Sequence, residues 1–287
     1  MSAPAGLVVV DKPGGLTSHD VVARVRRLAG TRKVGHAGTL DPMATGVLVL
    51  GVDRATRLLG HLMLTEKAYE ATVVLGTSTT TDDAEGEVVA TADPEQVAGL
   101  DEQAVRTALA AFEGEIQQVP TAVSAIKVDG KRAYQRVREG EEVQLAARTV
   151  TVHELVVHDV SLPQVRLALR CSSGTYVRAI ARDLGAALGV GGHLTALRRT
   201  AVGPYDLGVA RTLEQLGEQF AVLPLAEAAR RGFEAVELTE EEAAAVRVGR
   251  ALERPLAGLS ALFAPDGEFL ALYEPREGRS RAVAVFV

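Results

Sequence analysis

The sequence has few of the residues on which several classes of protein depend. Its 287 residues include one cysteine, Cys171, and no tryptophan. A single cysteine excludes an internal disulfide and a cysteine pair for a metal, and it favours a reducing compartment. Cys171 could act as a nucleophile, but a lone cysteine on an apolar strand usually packs in a core.

Long apolar runs and cofactor motifs are also absent. No stretch of 18 apolar residues occurs, so the sequence predicts no transmembrane helix. The first ten residues lack a basic segment, which argues against a signal peptide and, with the lone cysteine, predicts a cytoplasmic protein. The six histidines lack metal-ligand spacing, and no Walker-type or GxGxxG loop occurs. The sequence therefore predicts no metal, no nucleotide cofactor and no membrane partner.

The charge of the chain is acidic in total but unevenly distributed. The formal net charge is −6, whereas residues 1–60 carry +4 and residues 121–200 carry +5. Residues 61–120 carry −10 and residues 201–287 carry −5. Binding depends on local potential rather than on the total, so the two basic blocks are compatible with an RNA partner. Phosphate contacts made by these blocks would weaken steeply with salt.

One short loop has the features of a catalytic site. It reads Gly35-His36-Ala37-Gly38-Thr39-Leu40-Asp41-Pro42, and an apolar run follows at residues 47–50. Glycine lets a ligand approach the main chain closely, and Pro42 biases Asp41 away from helical geometry. A carboxylate fixed in this way suits catalysis, because a nucleophile must be pre-positioned. Asp-Pro is also a common start for an ordinary turn, so the pair alone decides nothing.

Periodicity predicts a chain of mixed helices and strands. The polar, acidic segment 77–87 is predicted to be a loop, and short strands after residue 230 suggest a small β-rich unit. Helices are predicted over 18–28, 101–112 and from about 176 through 188, and strands over 6–10, 47–51, 67–75, 149–157, 164–172 and 193–202.

Two basic segments have both an ordinary and a functional interpretation. The predicted helix 18–28 has valines on one face and arginines on the other, and Arg32 and Lys33 follow it. This face is either solvated or a phosphate-contacting patch beside the Asp41 loop. The segment 131–138 places Tyr134 among basic residues, which suits RNA contacts, although an exposed helix would look similar.

Six motifs occur in one order along the chain, and together they are specific. The motifs are Asp11-Lys12-Pro13-Gly14-Gly15-Leu16-Thr17-Ser18, the loop from Gly35 to Leu48, Lys67-Ala68-Tyr69, Val123-Ser124-Ala125-Ile126-Lys127, Cys171-Ser172-Ser173-Gly174-Thr175-Tyr176-Val177-Arg178 and Leu197-Arg198-Arg199. On these motifs the chain resembles the bacterial tRNA pseudouridine synthases of the TruB type over about residues 6–205.

The resemblance implies a fold and an activity. The fold is α+β, with a mainly antiparallel central sheet in a catalytic domain of residues 1–230 and a PUA-like RNA-binding domain of residues 231–287. The activity is conversion of the uridine at position 55, in the T-loop of tRNA, to pseudouridine by base flipping and without a cofactor. The expected partner is the T-arm stem-loop of tRNA, and the chain is expected to be a monomer.

The resemblance also implies residue roles. Asp41 matches the essential catalytic aspartate, Tyr69 the tyrosine that stacks on the target base, and Arg178 the arginine that pairs with the aspartate. His36 matches a histidine that helps to extrude the nucleotide, and a thumb insertion of about residues 124–148 closes over the RNA arm. The other substrate and RNA-binding candidates are Lys12, Gly38, Thr39, Tyr176, Leu197 and, in the thumb, Lys127, Lys131 and Arg132.

The residues themselves leave alternatives open. Asp41 could be a nucleophile, a base or a counter-ion to charge at the sugar. A non-catalytic RNA chaperone on the same scaffold is one alternative function. A hydrolase that uses Asp41 with Asp82 or Asp83 is another, although a solvated acidic loop is the simpler interpretation of Asp82 and Asp83.

Overall fold

The molecule is built on one large mixed sheet and one smaller sheet at the C-terminal end. The computed structural model describes residues 3–122, 127–128, 131–132, 139 and 145–287, with the backbone alone at 127–128 and 131–132. Within these residues the large sheet has ten strands and the C-terminal sheet has four. No helix in the described ranges is long and apolar enough to cross a membrane.

The helices and strands follow one another in chain order. The strands are β1 (Gly6–Lys12), β2 (Val34–His36), β3 (Thr45–Val52), β4 (Lys67–Leu75), β5 (Thr77–Thr79), β6 (Val88–Thr91), β7 (Gly114–Gln118), β8 (Lys127–Val128), β9 (Lys131–Arg132), β10 (Arg148–Ser161), β11 (Gln164–Cys171), β12 (Gly192–Val202), β13 (Tyr205–Asp206), β14 (Leu223–Pro224), β15 (Glu234–Glu237), β16 (Ser260–Phe263), β17 (Phe269–Arg276) and β18 (Arg279–Val285). The α-helices are α1 (Ser18–Ala29), α2 (Leu59–Leu62), α3 (Pro94–Ala98), α4 (Glu102–Ala110), α5 (Val177–Ala187), α6 (Leu213–Glu218), α7 (Leu225–Gly232) and α8 (Glu240–Arg247), and a 3-10 helix (Asp53–Leu58) runs into α2.

The large sheet is mainly antiparallel. Its strand order is β14-β1-β3-β12-β4-β11-β10-β7, with β2 paired to β3 and β13 paired to β12. The contact between β12 and β3 is parallel, whereas the other pairs in the described sheet are antiparallel. The expected mixed fold with a mainly antiparallel central sheet is confirmed.

The centre of the sheet is buried on both faces, which makes it a rigid support. In β1, Val8 and Val10 belong to the apolar cluster that includes residues of α1 and α5, whereas Leu7 and Val9 belong to the cluster on the other face. Strands buried on both sides carry nearly continuous apolar runs, as β1 and β3 do. Strand β4 alternates buried and more exposed residues, because one of its faces remains open to solvent.

Capping residues define both ends of helix α1. Thr17 is the N-cap and forms a capping box with Asp20, and Gly30 ends the helix in a left-handed conformation. Val21, Val22 and Val25 are buried, whereas the arginines of the other face lie at the surface. The predicted helix over 18–28 therefore differs from α1 by one residue.

The C-terminal sheet shares apolar contacts with the large sheet. Its order is β15-β16-β17-β18, and α8 packs against it. Phe263 and Phe269 from this sheet, and Phe286 just after it, lie in one cluster with Leu58 of the 3-10 helix and Leu62 of α2. The backbone is also tied across this contact, because Arg54 Nη1 donates to the Phe286 carbonyl at 2.6 Å.

Candidate active site

The Asp41 loop lies where three elements converge: the end of β1, the start of α1 and the start of β3. Lys12, the last residue of β1, is fully buried beneath this loop. Its ammonium group donates to the carbonyls of Pro13 (3.0 Å), Leu16 (2.6 Å) and Pro42 (3.1 Å). Burial lowers the pKa of Lys12 to about 8. Lys12 therefore orders the loop, and its predicted contact with RNA stays a prediction.

Two further side chains hold the backbone of the loop. Ser18 Oγ accepts from the Leu40 amide at 2.9 Å and donates to the Leu40 carbonyl at 3.1 Å. Arg199, on β12, is 1% exposed. Its guanidinium group donates to the carbonyls of Val47 (2.7 Å), Gly38 (3.1 Å) and Thr39 (3.4 Å). The position of Asp41 is therefore set by residues from β1, α1 and β12.

Asp41 forms a two-bond pair with Arg178, which lies in the first turn of α5. Arg178 Nε is 3.0 Å from Asp41 Oδ2, and Nη2 donates to Oδ1 at 3.1 Å. The Arg178 side chain is 5% exposed and that of Asp41 is 34% exposed. Burial raises the pKa of Asp41 above 3.8, and the Arg178 charge opposes this increase. The geometry holds a carboxylate in a fixed orientation with one side open to a ligand.

A second carboxylate binds the same arginine, and here the sequence-based interpretation was wrong. Arg178 Nη1 donates to the Thr81 carbonyl at 2.7 Å and lies 3.4 Å from Asp83 Oδ2. Asp83 is 3% exposed, and Asp82 lies 3.3 Å from Arg182 Nη1. The predicted solvated acidic loop is therefore packed against α5. Its charges are buried because two arginines about 100 positions later in the chain neutralise them.

Tyr69 and Lys67 lie two residues apart on β4 and share its buried face. Tyr69 is directly opposite Arg199 in the pairing of β4 with β12. Burial raises the pKa of the Tyr69 phenol. The Lys67 ammonium group donates to the carbonyls of Met63 (2.8 Å) and Thr65 (2.6 Å), and burial lowers the pKa of Lys67 to about 8.

These residues surround a cavity of about 280 Å³. The predicted residues that line it are Gly38, Thr39, Asp41, Tyr69, Tyr176, Arg178 and Leu197. Four of the lining side chains are basic, namely Lys67, Arg148, Arg178 and Arg199, and one, Asp41, is acidic. An excess of positive charge around an apolar and aromatic cavity suits a planar ligand attached to an anionic chain.

Several predicted residues lie elsewhere. His36 is on β2, outside the cavity lining, and its ring lies 5.7 Å from that of His19 in an edge-to-face contact. The side chains of Lys127, Lys131 and Arg132 are outside the described residues, as is most of the predicted thumb.

Sequence reasoning missed four residues that build the site. Arg199 and Lys67 each belong to one of the six motifs. Their place in those motifs is the feature of the sequence that could have identified them as site residues. Asp83 was assigned to solvent, and Gln118 was not singled out. Gln118 is buried and bonds to the backbone of Tyr176.

The fold of the chain is similar to that of solved structures. The structure matches the crystal structure of a Cbf5–Nop10–Gar1 complex with a TM-score of 0.73 and 27% identity, over 98% of this chain and 83% of that chain. An archaeal box H/ACA Nop10–Cbf5 complex matches with a TM-score of 0.71, 25% identity and coverage of 98% and 84%. The fold is therefore that of the pseudouridine synthases.

Sequence comparison identifies the family within this class. The model of the TruB family pseudouridylate synthase N-terminal domain matches residues 26–177, and two C-terminal models of tRNA pseudouridine synthase B or II match 178–230 and 233–287. A tRNA pseudouridine synthase B from Thermobifida fusca (strain YX) is 58% identical over 98% of both chains. One from Arthrobacter sp. (strain FB24) is 57% identical over 98% of this chain and 96% of its own. The chain therefore belongs to the TruB family and is a tRNA pseudouridine synthase.

Proposed function

We propose that this enzyme isomerises the uridine at position 55 in the T-loop of tRNA, with Asp41, Tyr69 and Arg178 as its catalytic residues. The two-bond pair between Arg178 and Asp41 at the edge of the cavity carries this proposal. It provides a fixed carboxylate beside a tyrosine, without a second open acidic group in the described lining.

The reaction explains why the carboxylate needs its arginine. The bond from N1 of uracil to C1′ breaks, a bond from C5 to C1′ forms, C5 loses a proton and N1 gains one. No electron is exchanged with a second reactant, so this exchange of bonds is an isomerisation. Asp41 supplies negative charge at C1′ during the exchange. Arg178 keeps that charge present and oriented against the burial that raises the pKa of Asp41.

Tyr69 serves the step that precedes the chemistry. The target base must leave the stack of a folded RNA loop, at a cost of a few kcal/mol. Stacking on an aromatic ring returns about 1–3 kcal/mol per base. Tyr69 lines the cavity beside Asp41; a phenol of ordinary pKa, about 10, is already protonated at neutral pH, and burial raises the pKa of Tyr69 further. It therefore offers a neutral ring face to the flipped uracil.

The RNA arm is bound outside the cavity by basic groups. Arg24 and Arg27 lie at the surface of α1, whose N-terminal end fastens the Asp41 loop through Ser18. Lys127, Lys131 and Arg132 of the thumb, His36 and the PUA-like domain of residues 231–287 complete the proposed RNA surface.

Replacement of the carboxylate tests the proposal. A T-arm stem-loop labelled with tritium at C5 of its uridines releases tritium when pseudouridine forms, because the C5–H bond is lost. Asp41→Asn keeps the size of the side chain and removes its charge, so we expect no release above background and an RNA affinity within about threefold of the wild type.

Two controls make the result specific. Asp53→Asn changes an aspartate that lies outside the cavity lining and pairs with Lys33 at 3.2 Å, with its side chain 45% exposed, and we expect wild-type release. A stem-loop with cytidine at position 55 should release no tritium. Turnover by Asp41→Asn would refute its catalytic role, and release from the cytidine-55 RNA would refute the choice of position.

A further inference from the structure

Helix α5 carries Arg178 in its first turn, but it begins without a side-chain cap of its own. Its N-cap residue, Tyr176, makes no capping hydrogen bond with its side chain. The first amides of a helix lack partners within the helix, so another group must satisfy them or leave the end poorly fixed. The direction of this first turn decides where the Arg178 guanidinium group lies.

A distant glutamine supplies the missing contact. Gln118, the last residue of β7, is 1% exposed. Its Oε1 accepts from the Tyr176 amide at 2.8 Å, and its Nε2 donates to the Tyr176 carbonyl at 3.1 Å. The same carbonyl accepts from the amides of Ala179 (3.1 Å) and Ile180 (3.3 Å), which form the first turn of α5. One side-chain amide therefore fixes both backbone groups of the residue at which the helix begins.

The side chain of the same residue faces the cavity. Tyr176 lines the cavity with Val177 and Arg178. The guanidinium carbon of Arg148 lies 4.8 Å from the centre of the Tyr176 ring. Gln118 thus holds the backbone of a residue whose ring is part of the cavity wall and whose second neighbour along the chain binds Asp41.

We propose that Gln118 is a positioning residue for pseudouridine formation, which sets Arg178 against Asp41 by fixing Tyr176 at the start of α5. The inference rests on the proposed catalytic pair of Asp41 and Arg178. Gln118 itself lies outside the cavity lining, so it acts through the helix rather than on the RNA.

The side-chain amide of Gln118 both donates and accepts a hydrogen bond. This property allows a test that distinguishes a positioning role from simple filling of space. A protonated carboxyl group has one O–H donor and one carbonyl acceptor, so Gln118→Glu can reproduce both hydrogen bonds at low pH. An ionised carboxylate only accepts, and it would face the Tyr176 carbonyl. Burial raises the pKa of the introduced carboxyl group above its usual value of about 4.3. The variant should therefore lose the hydrogen bond that it donates to the Tyr176 carbonyl as the pH rises through this increased pKa.

The experiment measures single-turnover tritium release from the T-arm stem-loop at several values between pH 5.5 and pH 8, together with RNA affinity. The rate constant of Gln118→Glu is divided by that of the wild type at each pH. We expect this ratio to fall about tenfold to hundredfold between the two limits, while affinity stays within about threefold. Gln117→Glu is the matched control, because Gln117 is the exposed neighbour on β7 and bonds to Thr149 Oγ1 at 2.8 Å. Its ratio should stay constant.

Each outcome decides the question. If the wild type is active and the ratio of the Gln118→Glu rate constant to the wild-type rate constant does not change with pH, the inference is overturned. The proposed function is then unaffected. Turnover by Asp41→Asn removes the proposed function and this inference with it. If circular dichroism shows that Gln118→Glu is unfolded at pH 8, Gln118→Met replaces it, because it keeps the length of the side chain and lacks both hydrogen bonds. Gln118→Met should then lose rate but not affinity at every pH, and an equal loss of both would contradict the proposal.

Discussion

At the scale of single residues, Arg178 is the point where two distant segments of the chain meet. Its guanidinium group donates to Asp41 and to the Thr81 carbonyl, and it forms an ion pair with Asp83 at 3.4 Å. Lysine has the same charge but lacks the planar fork that can bind two carboxylates in fixed directions. Arg178 therefore contributes geometry as well as charge.

Arg178→Lys tests this geometric role through both rate and pH dependence. Misplacement of a reacting group by about 1 Å can reduce the rate about 100-fold, and we expect a loss of that size at pH 8. Burial already raises the pKa of Asp41, so the ionised form is lost as the pH falls through a value above 3.8. Removal of the fork weakens the group that opposes this increase, so the acid limb of the rate profile should move to higher pH.

Arg182→Lys is the control for this prediction. Arg182 lies one turn later on the same helix and binds Asp82, Asp183 and the Val119 carbonyl, but it has no contact with Asp41. Its rate profile should keep the acid limb of the wild type. An unchanged limb in Arg178→Lys would contradict the assignment of the Arg178 fork to the Asp41 carboxylate.

The motifs single out residues that the fold brings together, and they miss residues whose side chains bind backbone. Asp41, Tyr69 and Arg178 were predicted and line one cavity. Arg199 and Gln118 were not, because their partners are main-chain groups of segments that are distant in sequence. No periodicity or spacing reports such a contact. Burial of the Asp83 carboxylate was missed because its partner, the Arg178 side chain on α5, is distant in sequence.

At the scale of elements, the close approach of β3 to β12 is set by one glycine. Gly46 has a φ of +97°, and a Cβ atom added there would lie 2.1 Å from the Arg199 carbonyl oxygen. The parallel pairing of these strands places Arg199 next to Gly46 and therefore below the Asp41 loop. The contact between β3 and β12 therefore connects the core of the sheet to the Asp41 loop.

Gly46→Ala should destabilise the protein strongly. The left-handed backbone costs about 1–2 kcal/mol for a residue with a Cβ atom, and the clash with β12 adds about 1–3 kcal/mol. We expect the free energy of unfolding to fall by about 2–5 kcal/mol, measured by urea denaturation. Gly15→Ala separates the two contributions, because Gly15 has a φ of +79° and a Cβ atom added there would have no neighbour within 4 Å. Equal losses in the two variants would show that the contact with β12 is unimportant.

The elements themselves were largely predictable from periodicity. Strand β4 was predicted with its observed ends, because its buried and exposed residues alternate. Helix α4 is shorter than predicted, because Asp101 is its N-cap and helical structure ends at Ala110. The segment 77–87 was predicted as a loop, but it contains β5, whose short polar sequence gives no strand signal. Such a strand is stabilised by its pairing with β6 rather than by its own residues.

At the scale of the whole molecule, the C-terminal sheet is joined to the catalytic part through apolar contacts. The rings of Phe269 and Phe286 lie 4.7 Å apart within the cluster that also contains Leu58 and Leu62. Arg57 Nη1 donates to the Val285 carbonyl at 2.5 Å, which adds a second backbone contact beside that of Arg54. The final residues therefore contribute to stability, whatever they contribute to RNA binding.

Removal of residues 233–287 should destabilise the catalytic part. The deletion exposes leucines and valines that the three phenylalanines now cover, and buried apolar area stabilises by about 25 cal/mol per Å². We expect a lower melting temperature and increased binding of a dye that fluoresces on apolar surfaces.

Arg276→Ala combined with Arg279→Ala is the control for the deletion, because both residues are exposed at the β17–β18 hairpin. It should keep the melting temperature of the wild type, so that any change in RNA affinity is separate from unfolding. A truncated protein that melts like the full chain would show that the shared cluster is not stabilising.

The way in which the Asp41 loop is fastened limits how it could be engineered. Lys12, Ser18 and Arg199 hold its carbonyl and amide groups from three separate elements, and none of these side chains belongs to the loop. A peptide with the sequence of residues 35–44, or a graft of that segment onto another scaffold, would carry the reactive carboxylate without the anchors that define its shape. The loop therefore cannot be moved to another protein with its conformation intact. A shortened synthase would need to retain β1, α1 and β12 together.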